Sequence, residues 1–376
     1  MSERDSGLRL NGQRLWSLLL DRVLLYTRAK VLRGGPPPQP AERHGGLMLG
    51  GQNALTEAEA RTWARSGETV LIDPARYETH FATEEEPFHL PPELPEQLEL
   101  LPQDRTLAGY LQRQRASSGL WLALTPTGYF APGARRAVRA AVRQVKYETD
   151  EESTVLSLPL DRRWLTDETA VDFLIRELGS LVSLKAFVLG ADRNPLERVG
   201  TARALRLLLS EVPGAALIRT DLAGLDAVAH GAVFAAIGTR SSLRHARPPR
   251  NGGFPPPGRP AYVLHPRLMR FMRNSTLIEK YGARAAPTCG CTYCEGRPLT
   301  RFQDTEKGAA EAELHNIAVR TPWDARILEP ASETQRQAVW RQMCVEALAD
   351  YSDLNRELGY EAFTPDPALE TWAGVR

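Results

Sequence analysis

The stretch "TVLSLPLDRRWLTDETAVDFLIRELGSLVSLKAFVLG", residues 154–190, decides the fold class. It begins with an apolar run of strand length and continues into a segment whose apolar residues recur at helical spacing. A second apolar run ends it. A strand, a helix and a strand in this order form a βαβ unit, whose two strands lie parallel in one sheet. The stretch therefore predicts an α/β protein with a parallel sheet.

The same alternation extends through most of the chain. Helical spacing also occurs over residues 135–145 and 200–212, between further strand-like runs. We count seven such runs, at 46–51, 69–73, 120–125, 154–160, 184–190, 215–220 and 232–238. This is one strand fewer than a closed eight-stranded barrel needs. The preferred prediction is a (β/α)₈ TIM-like barrel over residues 46–262, and the alternative is an open doubly wound sheet.

The two flanks of this region have other patterns. In residues 1–45, leucines at near-helical spacing between 8 and 33 predict an amphipathic helix that packs on the core, or docks a partner or a membrane surface. A Pro/Gly-rich linker follows it. Residues 263–330 lack the strand pattern and carry a cysteine cluster, which predicts an appended zinc-binding module. Residues 331–376 predict a C-terminal helix.

Composition limits the classes of protein that fit. The chain has 376 residues, 42% of them hydrophobic, and a net charge of +1, so only local basic clusters could attract nucleic acid. Four cysteines are too few for a disulfide framework, and no signal peptide is recognisable, which predicts a cytoplasmic location. No apolar run reaches the roughly 18 residues of a membrane-spanning helix.

Three of the four cysteines, Cys289, Cys291 and Cys294, lie within six positions. Cys-x-Cys-x-x-Cys lets three sulfurs converge on one ion, and tetrahedral Zn²⁺ then needs a fourth ligand. The candidates are His315, in a helical segment, and Cys344, whose neighbours suggest a buried apolar face; we favour His315. Such a closed shell predicts a structural zinc ion. The alternatives are an iron–sulfur cluster with Cys344, a redox pair and ordinary buried thiols.

Polar residues follow the predicted strands. In a barrel, the residues just past the strand ends line the active-site face. Asp73, Thr125, Asp161 and Asp221 stand at these positions. An aspartate there could equally cap the next helix, and the sequence leaves both roles open.

The cysteine motif followed by "LHNIAVR" (314–320), after a barrel pattern, resembles the queuine and archaeosine tRNA-guanine transglycosylases. That family has a (β/α)₈ barrel with a zinc module bound by three cysteines and a histidine, which is typically followed by asparagine. Residues 46–80 are similar to the opening strand, helix and second strand of the family. Residues 226–253 resemble its Phe-Asp-Cys strand and the basic continuation. The resemblance covers about residues 46–325.

The resemblance implies exchange of a guanine in a nucleic acid for a 7-deazaguanine, through attack of an aspartate on the ribose carbon. The nucleophile of the family follows a phenylalanine, but here Ala235 follows Phe234. Counting back from Thr239 lands on Phe234 itself. The second acid of the family is replaced by Thr125. Both carboxylates of the standard mechanism are therefore missing, and Asp73 and Asp161 are the candidates to replace the nucleophile.

The resemblance also implies a binding face for tRNA or DNA. Asp73, Thr125, Asp161 and Asp221 are its predicted base-binding residues. A basic loop after the last strand is predicted to contact phosphates through Arg240, Arg244, His245, Arg247 and Arg250. Two functions stay open: a base-exchange enzyme with another acid as nucleophile, and a non-catalytic barrel that binds nucleic acid, a partner subunit or a second copy. A barrel enzyme for an unrelated small molecule is a third.

Overall fold

Eight parallel strands form the centre of the protein. The computed structural model describes residues 9–10, 13–33, 43–90, 106–250 and 260–375. The strands curl into a nearly closed TIM-like barrel with helices between them, which confirms the predicted fold class. They are β1 Arg22–Thr27, β2 Leu47–Gly50, β3 Val70–Asp73, β4 Ala123–Leu124, β5 Thr154–Asp161, β6 Leu184–Gly190, β7 Ala215–Thr220 and β8 Phe234–Gly238.

The hydrogen-bonded order is β3, β2, β1, β8, β7, β6, β5 and β4. Every neighbouring pair is parallel. Beyond the ends of β3 and β4, where the ring lacks a strand ladder, isolated bridges join Phe81 to Tyr129 and Phe88 to Thr127. All eight strands therefore end at one mouth of the barrel, where the strand-end side chains meet.

The prediction of one helix over residues 8–33 is wrong. Residues 22–27 are β1, which pairs with β2 and β8 at the centre of the sheet. A strand buried on both faces carries a continuous apolar run, and the run in "RVLLYT" also fits a leucine-rich helix. The barrel thus begins at residue 22 rather than 46. Ahead of β1 lie two-residue strands Arg9–Leu10 and Gln13–Arg14 and a 3₁₀ turn Leu15–Leu19.

Helices cover the outside of the barrel. Their bounds are α1 Ala29–Arg33, α2 Ala54–Arg65, α3 Leu107–Ser118, α4 Arg135–Glu148, α5 Glu168–Leu178, α6 Thr201–Glu211 and α7 Ala223–Ala229. Helix α7 approaches the sheet closely because Gly224 has no side chain. A Cβ atom there would lie 2.9 Å from Ile237 and 3.2 Å from the methyl group of Ala235.

The chain after β8 begins with an antiparallel hairpin, β9 Tyr262–His265 and β10 Arg270–Arg273. Helix α8 Asn274–Tyr281, the cysteine loop (residues 287–298) and a 3₁₀ turn Leu299–Arg301 follow, then α9 Glu306–Leu328, α10 Glu333–Leu358 and α11 Pro367–Trp372. The predicted C-terminal helix is thus two helices.

Helix α9 belongs to the barrel wall. Its Ile317 packs with Leu25 of β1 and Leu47 of β2 in one apolar cluster. This contact places α9 where the eighth barrel helix belongs. The cysteine region is therefore inserted between β8 and α9, and is not appended after a finished barrel.

Most of the predicted Pro/Gly linker, residues 34–42, lies outside the described residues. Within the described ranges, no helix combines the length and the apolar character needed to cross a membrane.

Candidate functional site

Three thiols and one imidazole converge beside the barrel. The Nδ1 atom of His315 lies 3.7 Å from the sulfur of Cys289, 3.6 Å from that of Cys291 and 3.1 Å from that of Cys294. The four ligand atoms all lie within 4.8 Å of one another. This is the spacing of donors around one tetrahedral ion, so the cluster could bind a metal. The other candidate, Cys344, is buried in α10 and is not part of the cluster.

Tight turns in the cysteine loop bring the sulfurs together. The amide of Cys294 donates to the sulfur of Cys291 at 3.3 Å, and the amide of Gly296 donates to the carbonyl of Cys289 at 2.9 Å. Burial raises the pKa of Cys294 to about 12 and lowers the pKa of His315 to about 4. Without an ion the Cys294 thiol therefore holds its proton and the imidazole is neutral near pH 7. A metal ion would displace the thiol protons on binding.

His315 and Asn316 connect the cluster to the hairpin. The Nε2 atom of His315 lies 2.9 Å from the carbonyl oxygen of Leu264 in β9, to which it donates. This bond fixes the ring tautomer that leaves the lone pair of Nδ1 facing the sulfurs. Asn316 accepts from the amide of Leu264 at 2.6 Å and donates to the carbonyl of Tyr262 at 2.7 Å. Three hydrogen bonds thus hold β9 against α9.

A cavity of about 1190 Å³ opens at the mouth of the barrel. One wall consists of loops that follow β1, β3, β6, β7 and β8, and the other of the hairpin, α9, α10 and α11. The wall residues include many of both charges. Those used below are Arg28, Glu78, Arg193, Arg219, Asp221, Arg240, Arg244, His245, Arg247, Tyr262, Arg270, Phe271, Arg273 and Glu313.

Asp221 and Arg244 are the notable pair in this cavity. Asp221 is half-buried and accepts a bond from the amide of Ala223 at 3.0 Å. In the described part of the chain it has no ion-pair partner, and burial raises its pKa. Arg244 is buried, donates to the carbonyls of Gly238 and Thr239 at 3.3 Å, and stacks 3.4 Å above the ring of Phe271. Burial lowers the pKa of Arg244 to about 10.

Asp73 lies at the same mouth but does not line the cavity. It accepts hydrogen bonds from the hydroxyls of Tyr26 at 2.7 Å and Tyr77 at 2.5 Å, and from the amide of Ala75 at 2.9 Å. The carboxylate and both tyrosines are fully buried, and burial raises the pKa of Asp73. These are the contacts of a structural carboxylate. The predicted catalytic and base-binding roles of Asp73 stay predictions.

Arg219 completes this buried group, and no pattern in the sequence marks it as a site residue. A β-bulge between β7 and β8 leaves Arg219 unpaired, with φ at +50°. The bulge turns its side chain into the barrel, where it stacks on Tyr77 and forms an ion pair with Glu78 at 2.6 Å. Arg28 binds the same oxygen of Glu78. Such strain is held only where the surroundings fix it, and here the contacts with Glu78 and Tyr77 hold the Arg219 side chain in place.

Asp161 and Thr125 also have internal partners. Asp161 caps the turn after β5, accepting from the amide and the Nε of Arg163 at 2.9 Å each, and from the hydroxyl of Tyr129 at 3.1 Å. Thr125 accepts from the amide of Ser157 at 2.9 Å. Neither residue lines the cavity. Of the four predicted base-binding residues, only Asp221 does, and the roles of the others stay predictions.

The basic loop after β8 divides into two groups. Arg240, Arg244, His245 and Arg247 line the cavity, whereas Arg250 lies outside it and pairs with Asp192. Arg240 forms an ion pair with Glu313 of α9 at 2.5 Å. Burial lowers the pKa of His245 to about 4, so this imidazole is neutral near pH 7. Four of the five predicted phosphate contacts therefore face one cavity.

Ala235, which follows Phe234 where the resemblance places the nucleophile, does not face the site. Its methyl group faces α7, beside Gly224, and not the interior of the barrel. Phe234 and Ala236 face the interior instead. Strand β8, Phe234–Gly238, carries no carboxylate at any position, so the absence of the standard nucleophile from this strand still holds.

Besides Arg219, the residues that the sequence analysis missed come from the hairpin. Arg270, Phe271 and Arg273 line the cavity from β10, far along the chain from the strand ends. Only the fold brings them there, since the hairpin is held by His315 and Asn316. A barrel by itself does not reveal its function, which depends on its site. Comparison of the sequence with protein-family models and with curated proteins returned no match.

Proposed function

We propose that the protein is a transglycosylase-like barrel that recognises a guanine-type base of a nucleic acid in the cavity at its mouth. The observation that carries the proposal is the pair Asp221 and Arg244, which face one cavity without forming an ion pair with each other. An acid and a base left half-satisfied in a cavity are suited to a ligand with both donors and acceptors.

Guanine is such a ligand. Its N1–H and N2–H groups form a pair of donors, and its O6 and N7 atoms form a pair of acceptors. The carboxylate of Asp221 can accept from the donor edge, while a guanidinium such as that of Arg244 suits the acceptor edge. Adenine offers a different pattern and would leave the carboxylate without its second donor.

The arginines around the base site support contact with a nucleic-acid backbone. Arg193 and Arg247 are exposed at the cavity wall, and Arg273 lies on the hairpin opposite. Arginine contacts to phosphate release counterions, so binding weakens as salt rises. This gives the proposal a measurable signature that a small-molecule barrel would lack.

Binding without base exchange is the form of the proposal that the contacts favour. The two candidate replacements for the nucleophile, Asp73 and Asp161, hold tyrosine and arginine side chains. An attack on a ribose carbon needs a carboxylate that can reach the ligand. This supports the non-catalytic alternative.

One observation favours exchange as a second candidate function. Asp221 is a strand-end carboxylate that does face the cavity. Attack by its oxygen on the C1′ atom would break the bond to the base and leave a covalent glycosyl-enzyme. Such an adduct survives denaturation, so mass spectrometry of denatured protein after incubation with tRNA and 7-deazaguanine separates the two candidates.

We further propose that the metal in the cysteine cluster is zinc with a structural role. Three thiolates and an imidazole suit zinc rather than a hard cation such as magnesium. All four ligands come from the protein, which leaves no position for a substrate. When bound, the ion would link the cysteine loop to α9.

The test of the proposed function is fluorescence anisotropy with labelled tRNA and a DNA hairpin at two salt concentrations. We expect the affinity of the wild type to fall as the salt concentration rises. At each salt concentration, Asp221→Asn should bind about tenfold more weakly than the wild type, which is near the lower end of the loss of one bidentate base contact. Asp172→Asn, an exposed acid on the outside of α5, is the control and should bind like the wild type. Absence of binding, or identical binding by Asp221→Asn, would overturn the proposal.

A further inference from the structure

Arg301 lies directly beside the cysteine cluster. Its Nη2 atom is 3.2 Å from the sulfur of Cys294, and its Nη1 donates to the carbonyl of Pro298 at 3.2 Å. The guanidinium carbon stacks 3.9 Å from the centre of the Phe302 ring. That ring in turn packs 5.4 Å from the imidazole of His315. The guanidinium is thus held in one orientation by a sulfur, a carbonyl and an aromatic face.

The charge of the cluster explains why a cation belongs there. Three thiolates and a neutral imidazole around a divalent ion leave a net charge of −1. Cys289, Cys294 and His315 are buried, so water compensates little of this charge. A buried charge without a partner is costly, whereas a charge-assisted hydrogen bond to the sulfur offsets it.

We propose that Arg301 is a positioning residue of the metal centre. Its guanidinium orients the Cys294 sulfur and neutralises the surplus negative charge of the thiolate shell, and so tightens metal binding. The inference rests on the proposed zinc centre. It assigns to Arg301 a role that the ligand motif does not contain, because Arg301 lies seven residues beyond the last cysteine of the motif.

A second arginine, within the cysteine loop itself, provides a matched control. Arg297 also approaches Cys294, but it donates to the carbonyl oxygen at 2.8 Å and to the carbonyl of Tyr293, without touching a sulfur. Removing either guanidinium changes the charge of the loop equally. Only removal of Arg301 breaks the bond to a ligand atom.

The test measures zinc affinity of the full chain by competition with a chromophoric chelator, for Arg301→Gln, Arg301→Lys and Arg297→Gln. Outer-shell partners of metal ligands typically contribute tenfold to a hundredfold in affinity. We therefore expect Arg301→Gln to bind zinc about tenfold more weakly and to lose it faster to the chelator. Arg301→Lys should fall between Arg301→Gln and the wild type, and Arg297→Gln should match the wild type.

Two results would overturn the inference while leaving the zinc centre in place. One is equal affinity of Arg301→Gln and the wild type, and the other is an equal loss in Arg297→Gln, which would indicate a general effect of loop charge. A wild type that binds no zinc would instead refute the zinc proposal itself. The absorption spectrum of the cobalt-substituted variants, together with their circular dichroism, checks that each variant is folded and keeps its sulfur ligands.

Discussion

The imidazole of His315 donates from Nε2 to the carbonyl oxygen of Leu264, 2.9 Å away, and so joins the cysteine cluster to strand β9. Strand β9 pairs with β10, which carries Phe271, and Arg244 of the barrel loop stacks on that ring. The cluster is therefore connected to the cavity wall through one short hairpin. Loss of a metal ion should therefore change the structure of the cavity wall as well as that of the cysteine loop.

Replacing one ligand tests the metal centre. Cys291→Ser should lower the zinc content of the purified protein from one ion per chain to well below one, because metal binding and folding of such sites are coupled. The melting temperature should fall with it. Elemental analysis is the measurement, with Cys344→Ala as the control that keeps the cluster intact. Iron with sulfide, or a full zinc content in Cys291→Ser, would contradict the assignment.

Asn316 should stabilise the hairpin independently of the ion. Asn316→Ala removes two hydrogen bonds to β9 and leaves a buried amide and a carbonyl without partners. We expect the free energy of unfolding to fall by about 1–3 kcal/mol while zinc is retained. Chemical denaturation measures the fall. Thr321→Ala, which loses only a bond within α9, is the control and should change stability far less.

Ala235→Asp should not create a base-exchange enzyme. The new carboxylate would lie between β8 and α7, where Gly224 allows close packing, and would be buried without a partner. We expect a loss of more than about 3 kcal/mol in stability, as for other unpaired buried charges. Thermal unfolding shows the effect, and Ala235→Ser is the milder comparison. A stable Ala235→Asp protein with exchange activity would mean that β8 is turned the other way.

Lys185 gives the barrel a dependence on alkaline pH. Its ammonium is buried at the start of β6 and donates to the carbonyls of Leu181 and Pro213, and burial lowers its pKa to about 8. Between about pH 8 and the usual value of about 10.5, the unfolded chain holds this proton and the folded chain does not. The contribution of Lys185 to the free energy of unfolding therefore rises with pH across that window and is constant below it.

The measurement for Lys185 is the free energy of unfolding of the wild type and of Lys185→Met between pH 7 and 10. We expect the free energy of unfolding of the wild type, relative to that of Lys185→Met, to increase as pH rises. An unchanging difference would show that the lysine has an ordinary pKa. Lys146→Met, on the surface at the end of α4, is the control for the loss of a surface lysine.

The sequence predicted the fold better than the site. Alternation of apolar runs and helical segments is a local signal, and so is the close spacing of three cysteines. Strand β1 was missed because its apolar run of four residues, VLLY, fits a leucine-rich helix as well as a strand buried on both faces. Arg219 was missed because the β-bulge turns its side chain to the face of β7 opposite the one that regular alternation predicts.

The strand-end acids show why the site was harder to predict. Asp73, Asp161 and Asp221 all lie at the expected end of the barrel, but their neighbours decide what each can do. The carboxylate of Asp73 accepts hydrogen bonds from two tyrosine hydroxyls, and the carboxylate of Asp161 accepts one from the Nε of Arg163. Only the folded protein shows that Asp221 is the one of the three that faces a cavity. The opposite wall of the cavity includes β10, which is not one of the barrel strands.

The central claim is that Asp221 reads a guanine-type base, and calorimetric titration with guanosine and adenosine monophosphates tests it most directly. We predict that the wild type binds the guanine nucleotide about tenfold more tightly than the adenine nucleotide, since one bidentate base contact is worth about 1–3 kcal/mol of discrimination. Asp221→Asn should lose this preference and keep its fold. Equal affinity of the wild type for both nucleotides, or an unchanged preference in Asp221→Asn, would contradict the account.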